Sequence, residues 1–218
     1  MINIKKLRVT LFLTFIIVIS LFLVSFTLYK NTSVKTICLD AGHGGFDGGA
    51  TYNNVMEKDI TLKSCLILGR MLENTGYKVV YTRTTDQSLK SDKVNDMKER
   101  LKIINKKSNI LYISLHANSY PNHLIHGAQV FYSNKLDNSK FLSEHIQNYF
   151  KEEDKTNNRF AKEIKDKYIT DNAIIPGVIV ELGFMSNEYD LNVLISEEKL
   201  EYRCLMIYLG ILKYLEYN

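Results

Sequence analysis

The chain opens on one hydrophobic pattern and then changes to another. From Val9 to Tyr29 there are 21 residues without a charge, apolar on every side, preceded by Lys5, Lys6 and Arg8. As a helix this run would span about 30 Å, the thickness of a bilayer core. Basic residues in front of it predict a cytoplasmic N-terminus and an external C-terminal portion. A cleaved signal peptide has a shorter apolar core and a small-residue cleavage site. Ser25-Phe26-Thr27 is a poor version of that site, so the length favours an uncleaved anchor. Residues 1–30 are assigned to this signal-anchor and 31–35 to a short polar linker.

After Lys35 the apolar positions recur in short alternating and helical patterns. Thr36 to Leu39 reads as a strand, followed by a glycine-rich loop at 40–49, DAGHGGFDGG. Glu57 opens a helical stripe through Ile60, Ser64, Ile67 and Met71 to about Asn74, and Gly76 stops it. Strands are expected at 78–82, 110–115, 128–132 and 178–180, and helices at 91–106, 137–150, 160–168 and 197–217. The last helix carries Leu200, Cys204, Ile207 and Ile211 at core spacing. Residues 151–159 form a charged connection. Strands alternating with helices predict a three-layer α/β domain over 36–218.

Charge changes the picture once it is divided along the chain. The formal net charge is +4 over 218 residues. Five basic residues and no acid lie in 1–35, which leaves 23 basic against 24 acidic residues, a net of −1, beyond it. The domain therefore carries no net attraction for nucleic acid. Hydrophobic residues at 45% and charged residues at 24% fit a packed core and exclude wholesale disorder. Three cysteines, Cys38, Cys65 and Cys204, form no CxxC pair, and the odd count argues against a disulfide framework. Cys38 and Cys65 sit in apolar patterns as small buried hydrophobes.

Three apolar strands run into residues that ligate metals or move protons: Asp40 and then His43, His116, and Glu181. Sites in open α/β sheets form beyond the carboxyl ends of strands. Gly42, Gly44 and Gly45 let the backbone turn sharply around His43. Glu57 begins a helix shortly after this loop, where a carboxylate is also favoured by the helix N-terminus; both roles can hold together. Two histidines and one carboxylate leave a fourth position open for water, the arrangement of a catalytic zinc site. Glu181 is then the carboxylate to take and return a proton, its plainer reading being a salt-bridged structural acid.

Four blocks in order, LDAGHGG at 39–45, EKDITL at 57–62, SLHAN at 114–118 and VELGFMSN at 180–187, give the chain a family resemblance. It resembles the zinc-dependent N-acetylmuramoyl-L-alanine amidases of the Amidase_3 type over nearly all of 36–215. The resemblance implies a twisted mixed sheet flanked by helices, one zinc held by His43, Glu57 and His116, and general base and acid action by Glu181. It implies cleavage of the amide between N-acetylmuramic acid and L-alanine in peptidoglycan. Arg83 and Arg100 match positions where the family often has arginine, and Arg100 is read as structural. Asn118 fits the family's His-Ala-Asn.

Within the family the chain is most similar to the germination-specific type of spore-forming bacteria, which acts on spore cortex before muramic-δ-lactam formation. The grounds are one hydrophobic segment, one catalytic domain and no wall-binding repeats. An accessory protein that localises or activates the enzyme is expected on the same grounds. The catalytic domain is expected outside the cytoplasmic membrane, anchored there or exported if cleaved, in a spore former within the forespore or cortex space. Two other readings compete: a zinc peptidase cutting the wall peptide itself, and a non-catalytic membrane-anchored regulator. His123 and His126 are read as surface-loop residues, and His145 as surface or packing.

Overall fold

A computed structural model describes residues 4–30 and 34–217. The chain separates into two units, one ending at Val34 and the other beginning at Lys35. In the first, α1 (Ile4–Lys30) is a helix of 27 residues. Its described apolar side chains, Leu11 to Phe22, are exposed by 42–71%. The hydroxyls of Thr10, Thr14 and Ser20 donate back to the carbonyls of Lys6, Leu11 and Ile17, so these polar groups are satisfied within the helix. Among the described residues no helix is long and apolar enough to cross a membrane. The expected span reaches to Tyr29, and the side chains at 23–29 lie outside those described.

The second unit alternates strands and helices: β1 (Thr36–Ala41), β2 (Thr51–Tyr52), β3 (Val55–Met56), α2 (Glu57–Asn74), β4 (Lys78–Tyr81) and α3 (Lys93–Ile104). There follow β5 (Asn109–Asn118), β6 (Gln129–Tyr132), α4 (Asp137–Glu153), β7 (Lys162–Glu163) and α5 (Tyr168–Asn172). It closes with β8 (Gly177–Phe184), α6 (Glu188–Ile195) and α7 (Glu197–Leu215). Six described strands form one mixed sheet in the order β4-β1-β5-β8-β6-β7. The first four run parallel, and β6 turns antiparallel against β8. Helices flank both faces, as the alternation of elements requires.

The two faces are built differently. Ile37, Leu39, Leu111, Ile113, Leu115 and Val180 point into one core with residues of α2, α4 and α7, such as Leu68, Leu142 and Ile207. The side chains between them point the other way, because a strand alternates its faces. There Cys38 and Tyr112 meet only Ile104 of α3 and partly buried residues such as Ile169 of α5. This thin second layer leaves the carboxyl ends of β1, β5 and β8 open. All three cysteines are buried and free.

Several expected elements change. Residues 160–168 form no helix. Lys162–Glu163 pairs with Phe131–Tyr132 at the sheet edge, Asp166 turns at φ 60°, and a helix begins only at Tyr168. Phe160, Ile164 and Tyr168 are spaced for a helix, but pairing of Lys162–Glu163 with the edge of the sheet overrides that local pattern. The helix α6 and the β2–β3 hairpin were not expected. Asn187 caps α6 by accepting from the Asp190 N–H at 3.1 Å. Asn53 and Asn54, at φ 49° and 61°, make the two-residue turn of the hairpin.

Candidate active site

The strands that carry the candidate residues run further than their apolar cores predict. His116 lies inside β5 and Glu181 inside β8, not beyond the strand ends, and the two are register partners. Neighbours in register project to the same face, so His116 and Glu181 stand side by side on the thinly covered face. Asp40 and Ser114 pair one step earlier between β1 and β5 on that face.

His43 reaches the site from the loop after β1, in the left-handed region at φ 62°. Such a conformation is costly for a residue with a side chain and persists only where its surroundings hold it. Here they do. Arg100 Nη2 donates to the His43 carbonyl, and Gly42 N–H donates to the Leu115 carbonyl at 3.0 Å. A Cβ on Gly42 would collide with the His116 imidazole, so only glycine lets the loop pass. Glu57 follows the hairpin, and its N–H donates to the Ala50 carbonyl at 2.8 Å. That bond brings the helix start against the glycine-rich loop.

Three side chains converge as a result. Glu57 Oε2 lies 3.1 Å from His43 Nε2, and Glu57 Oε1 lies 3.0 Å from His116 Nδ1. The carboxylate also accepts from the N–H groups of Ala50 at 2.9 Å and Ala117 at 3.1 Å. Burial opposes ionisation of Glu57, but its bonds to His116 and His43 override this and hold its carboxyl well below the usual range. Burial likewise opposes charge on His116, and the Glu57 hydrogen bond with the Glu181 charge raises its pKa despite it. One ligand atom from each of His43, Glu57 and His116 can be chosen within 4.8 Å of one another. Donors about 2.1 Å from a tetrahedral zinc stand about 3.4 Å apart, so this nitrogen–oxygen–nitrogen set fits that ion. Asp47 Oδ2 lies 3.0 Å from the other ring nitrogen of His43, within ion-pair distance but not aligned as a hydrogen bond.

Glu181 is partly buried, and its Oε2 is shielded from solvent with no hydrogen-bond partner among the described residues. Burial pushes its carboxyl up, against the opposing pull of His116. A carboxylate with an unused oxygen and a raised pKa is suited to hold a proton. It opens on a cavity of about 390 Å³ that His43, Glu57, His116, Asn118, Lys167 and Tyr168 also line. The size suits a small polar substrate segment.

Beneath the site lies a network that the sequence did not reveal beyond naming Asp40, Arg83 and Arg100 singly. Asp40 accepts from Thr82 at 2.7 Å, Ser114 at 2.6 Å and Arg100 at 2.9 Å. Arg100 also binds Asp96 at 2.6 Å and donates to the Ala41 carbonyl. Burial opposes the Asp40 charge, yet Arg100 and the two hydroxyls hold its carboxyl below the usual range. Arg83 donates to the carbonyls of Ala41, Gly42 and Lys58. Both arginines thus tie down the His43 loop, and the structural reading of Arg100 stands. Asp47 and Lys167 were missed as site residues. Only the position of Asp47, four after His43, signalled it. His123 and His126 are not in the convergent set; they meet Tyr52 and Tyr189 instead. His145 packs on Phe141 and Tyr217.

A cavity on the sheet face with two histidines, a buried carboxylate between them and a second carboxylate beside it is the arrangement of an α/β enzyme whose residues could hold a metal ion. The N-acetylmuramoyl-L-alanine amidase family pattern matches residues 37–213. The chain belongs to that family, and it is an N-acetylmuramoyl-L-alanine amidase. A germination-specific N-acetylmuramoyl-L-alanine amidase of Bacillus subtilis is 34% identical over 96% of this chain and 95% of its own length. The CwlD amidase of Clostridioides difficile, solved in complex with the GerS lipoprotein, superposes with a TM-score of 0.80 at 39% identity. The match covers 84% of this chain and all of that one. The AmiC2 amidase of Nostoc punctiforme gives 0.75 at 28% identity, over 85% of this chain and 99% of its own.

Proposed function

We propose that the enzyme is zinc-dependent, holding one zinc through His43, Glu57 and His116, with Glu181 as general base and then general acid. The observation that carries this reading is the convergence of those three ligand atoms within 4.8 Å beside the partnerless Glu181 oxygen. Bound there, zinc would supply Lewis-acid chemistry that makes a water nucleophilic near neutral pH. The chain's own groups do the rest. Glu57 is fixed by the Ala50 and Ala117 N–H groups, and Asp47 stands beside His43. Glu181 takes the proton of the attacking water and returns it to the nitrogen of L-alanine as the bond to the lactyl carbonyl breaks. General acid–base action of this kind contributes about 10²–10⁴-fold.

The biological setting belongs to the same proposal. The substrate is spore cortex peptidoglycan, from which peptides are removed before muramic-δ-lactam forms, in preparation for germination. The similarity to the B. subtilis germination-specific amidase supports this. Residues 1–30 act as a membrane anchor and 31–35 as linker, with 36–218 catalytic and outside the cytoplasmic membrane. The exposed apolar side chains of α1 and the uncharged run support the anchor. An accessory protein localises or activates the enzyme, as the complex of the C. difficile neighbour with a lipoprotein supports.

Mass spectrometry of muropeptides after incubation with zinc-loaded protein tests the chemistry. The expected products are glycans with free lactyl ends and peptides beginning at L-alanine. Cuts between amino acids instead would make the enzyme a wall peptidase. Equal turnover after complete chelation of zinc would remove the metal from the account.

A further inference from the structure

Immediately after Glu181, β8 carries one residue more than β5. Glu181 pairs with His116, and Phe184 pairs with Asn118. Ala117 alone lies between the partners on β5, but Leu182 and Gly183 lie between those on β8. The extra residue is a bulge, a device that re-aims the side chains beside it. Gly183 carries it at φ 148°, where a residue with a side chain is strained. A bulge frees backbone groups from the ladder, and here buried side chains take them up. The Leu182 carbonyl accepts from Arg203, and the Phe184 N–H donates to Asp190 Oδ2 at 2.8 Å.

Asp190 is wholly buried in the first turn of α6. A carboxylate three residues after a helix cap ordinarily reaches back to the N–H of the cap. The cap, Asn187, instead donates its N–H to the Phe184 carbonyl at 3.0 Å. The Asp190 oxygen that holds Phe184 also accepts from the Gly127 N–H, at 2.7 Å. Gly127 leads into β6, where Gln129 is the register partner of Glu181. One carboxylate oxygen therefore ties together the two strands that meet at Glu181. Glu181 depends on such a tie, because its Oε2 has no hydrogen-bond partner among the described residues. Where its carboxylate points is set by its backbone.

We propose that Asp190 is a positioning residue for the reaction: it holds the β8 bulge against the start of β6 and so sets where the Glu181 carboxylate stands. The proposal rests on the role given to Glu181 above. Asp190 does not line the active-site cavity, so its action passes through the backbone.

The test compares Asp190→Asn and Asp190→Ala in the zinc-loaded full chain, each with and without Glu181→Gln. Asn keeps an oxygen of the same reach for both N–H groups, and Ala keeps none. Asp190→Ala should lower kcat roughly 10²-fold with KM and zinc content held, since a misplacement of about 1 Å can cost that much. Asp190→Asn should recover most of this loss. In the Glu181→Gln background Asp190→Ala should cost little more, because a base already removed cannot be misplaced. Gly183→Ala is a second probe that keeps every hydrogen-bonding group. Its methyl would stand 3.0 Å from Asp190 Cγ and press on the bulge, and it should lower kcat in the same way. Parental kcat in Asp190→Ala overturns the proposal; should that variant not fold, parental kcat in Gly183→Ala does so. An equal fold-loss with and without Glu181→Gln, or a fall in zinc content that accounts for the loss, also overturns it and leaves Asp190 structural. Parental turnover in Glu181→Gln alone would instead refute the role of Glu181, and the proposal would fall with it.

Discussion

Along β1, β5 and β8 each strand has one side chain in each of two unlike environments. Leu39, Ile113 and Val180 meet α2, α4 and α7 and are wholly buried among apolar neighbours. One residue further on, Asp40, Ser114 and Glu181 face α3 and α5, where charge is paired, hydrogen-bonded or left open to a cavity. The first face is held by area removed from water, which is non-directional and tolerant of exchange among apolar residues. The second is held by directed bonds, in which losing one partner leaves another buried and unsatisfied. The two faces of a single sheet are therefore held by different forces, and substitutions on them should fail in different ways.

The largest effect should come from Glu181→Gln, which is expected to lower turnover by about 10²–10⁴-fold while keeping the zinc. Burial raises the Glu181 pKa, so the ionised carboxylate disfavours the metal-free fold at neutral pH. Gln removes that charge, and the Tm of the metal-free variant should hold or rise. Parental rates at confirmed zinc content would return Glu181 to a structural role.

Arg100→Ala comes next, and its effect is on the fold. It strands Asp40 in a buried site, which should cost about 3–5 kcal/mol. Thermal unfolding reads this as a fall of roughly 10 °C. The pH dependence carries a sign. The Asp40 carboxyl titrates below its ordinary 3.8 because Arg100 and two hydroxyls override its burial. Its contribution is complete above that value and is lost as pH falls through the lowered one. The gap in Tm between parent and variant should therefore be widest near neutrality and narrow below pH 3.8; a gap that widens in acid would contradict the pairing.

The smallest effect should come from Ile146→Val on the opposite face, where Ile146 is fully buried on α4. It should cost about 0.5–1.5 kcal/mol of stability and leave zinc content and KM unchanged. A change in zinc affinity from this residue would show that the two faces are coupled.

The same contrast explains what the sequence made legible. Apolar periodicity marked the face that packs on α2, α4 and α7, and the stripe through Leu200, Cys204, Ile207 and Ile211 is buried as expected. His116 and Glu181 were visible because they end apolar runs, His43 because it sits among glycines and Glu57 because it opens a helix, and the structure brings all four to one cavity. What could not be read depends on backbone geometry. Strand pairing, not composition, extends β5 and β8 past His116 and Glu181. The turn at Asn53-Asn54 that delivers Glu57 carried a signal in its paired asparagines. The false helix at 160–168 lost to edge pairing, a tertiary effect that no local pattern reports. Asp96, the partner that completes the Asp40–Arg100 pair, lies in a charged helix where it resembles any solvated acid.

The central claim is that this polar face holds one zinc between His43, Glu57 and His116. Anomalous diffraction at the zinc absorption edge, from crystals of the zinc-loaded protein, tests it most directly. The account predicts one strong peak per chain within about 2.3 Å of a nitrogen of each histidine and an oxygen of Glu57. That peak should vanish, together with turnover, in His116→Ala. A peak at another site, or an unchanged peak in His116→Ala, would contradict it.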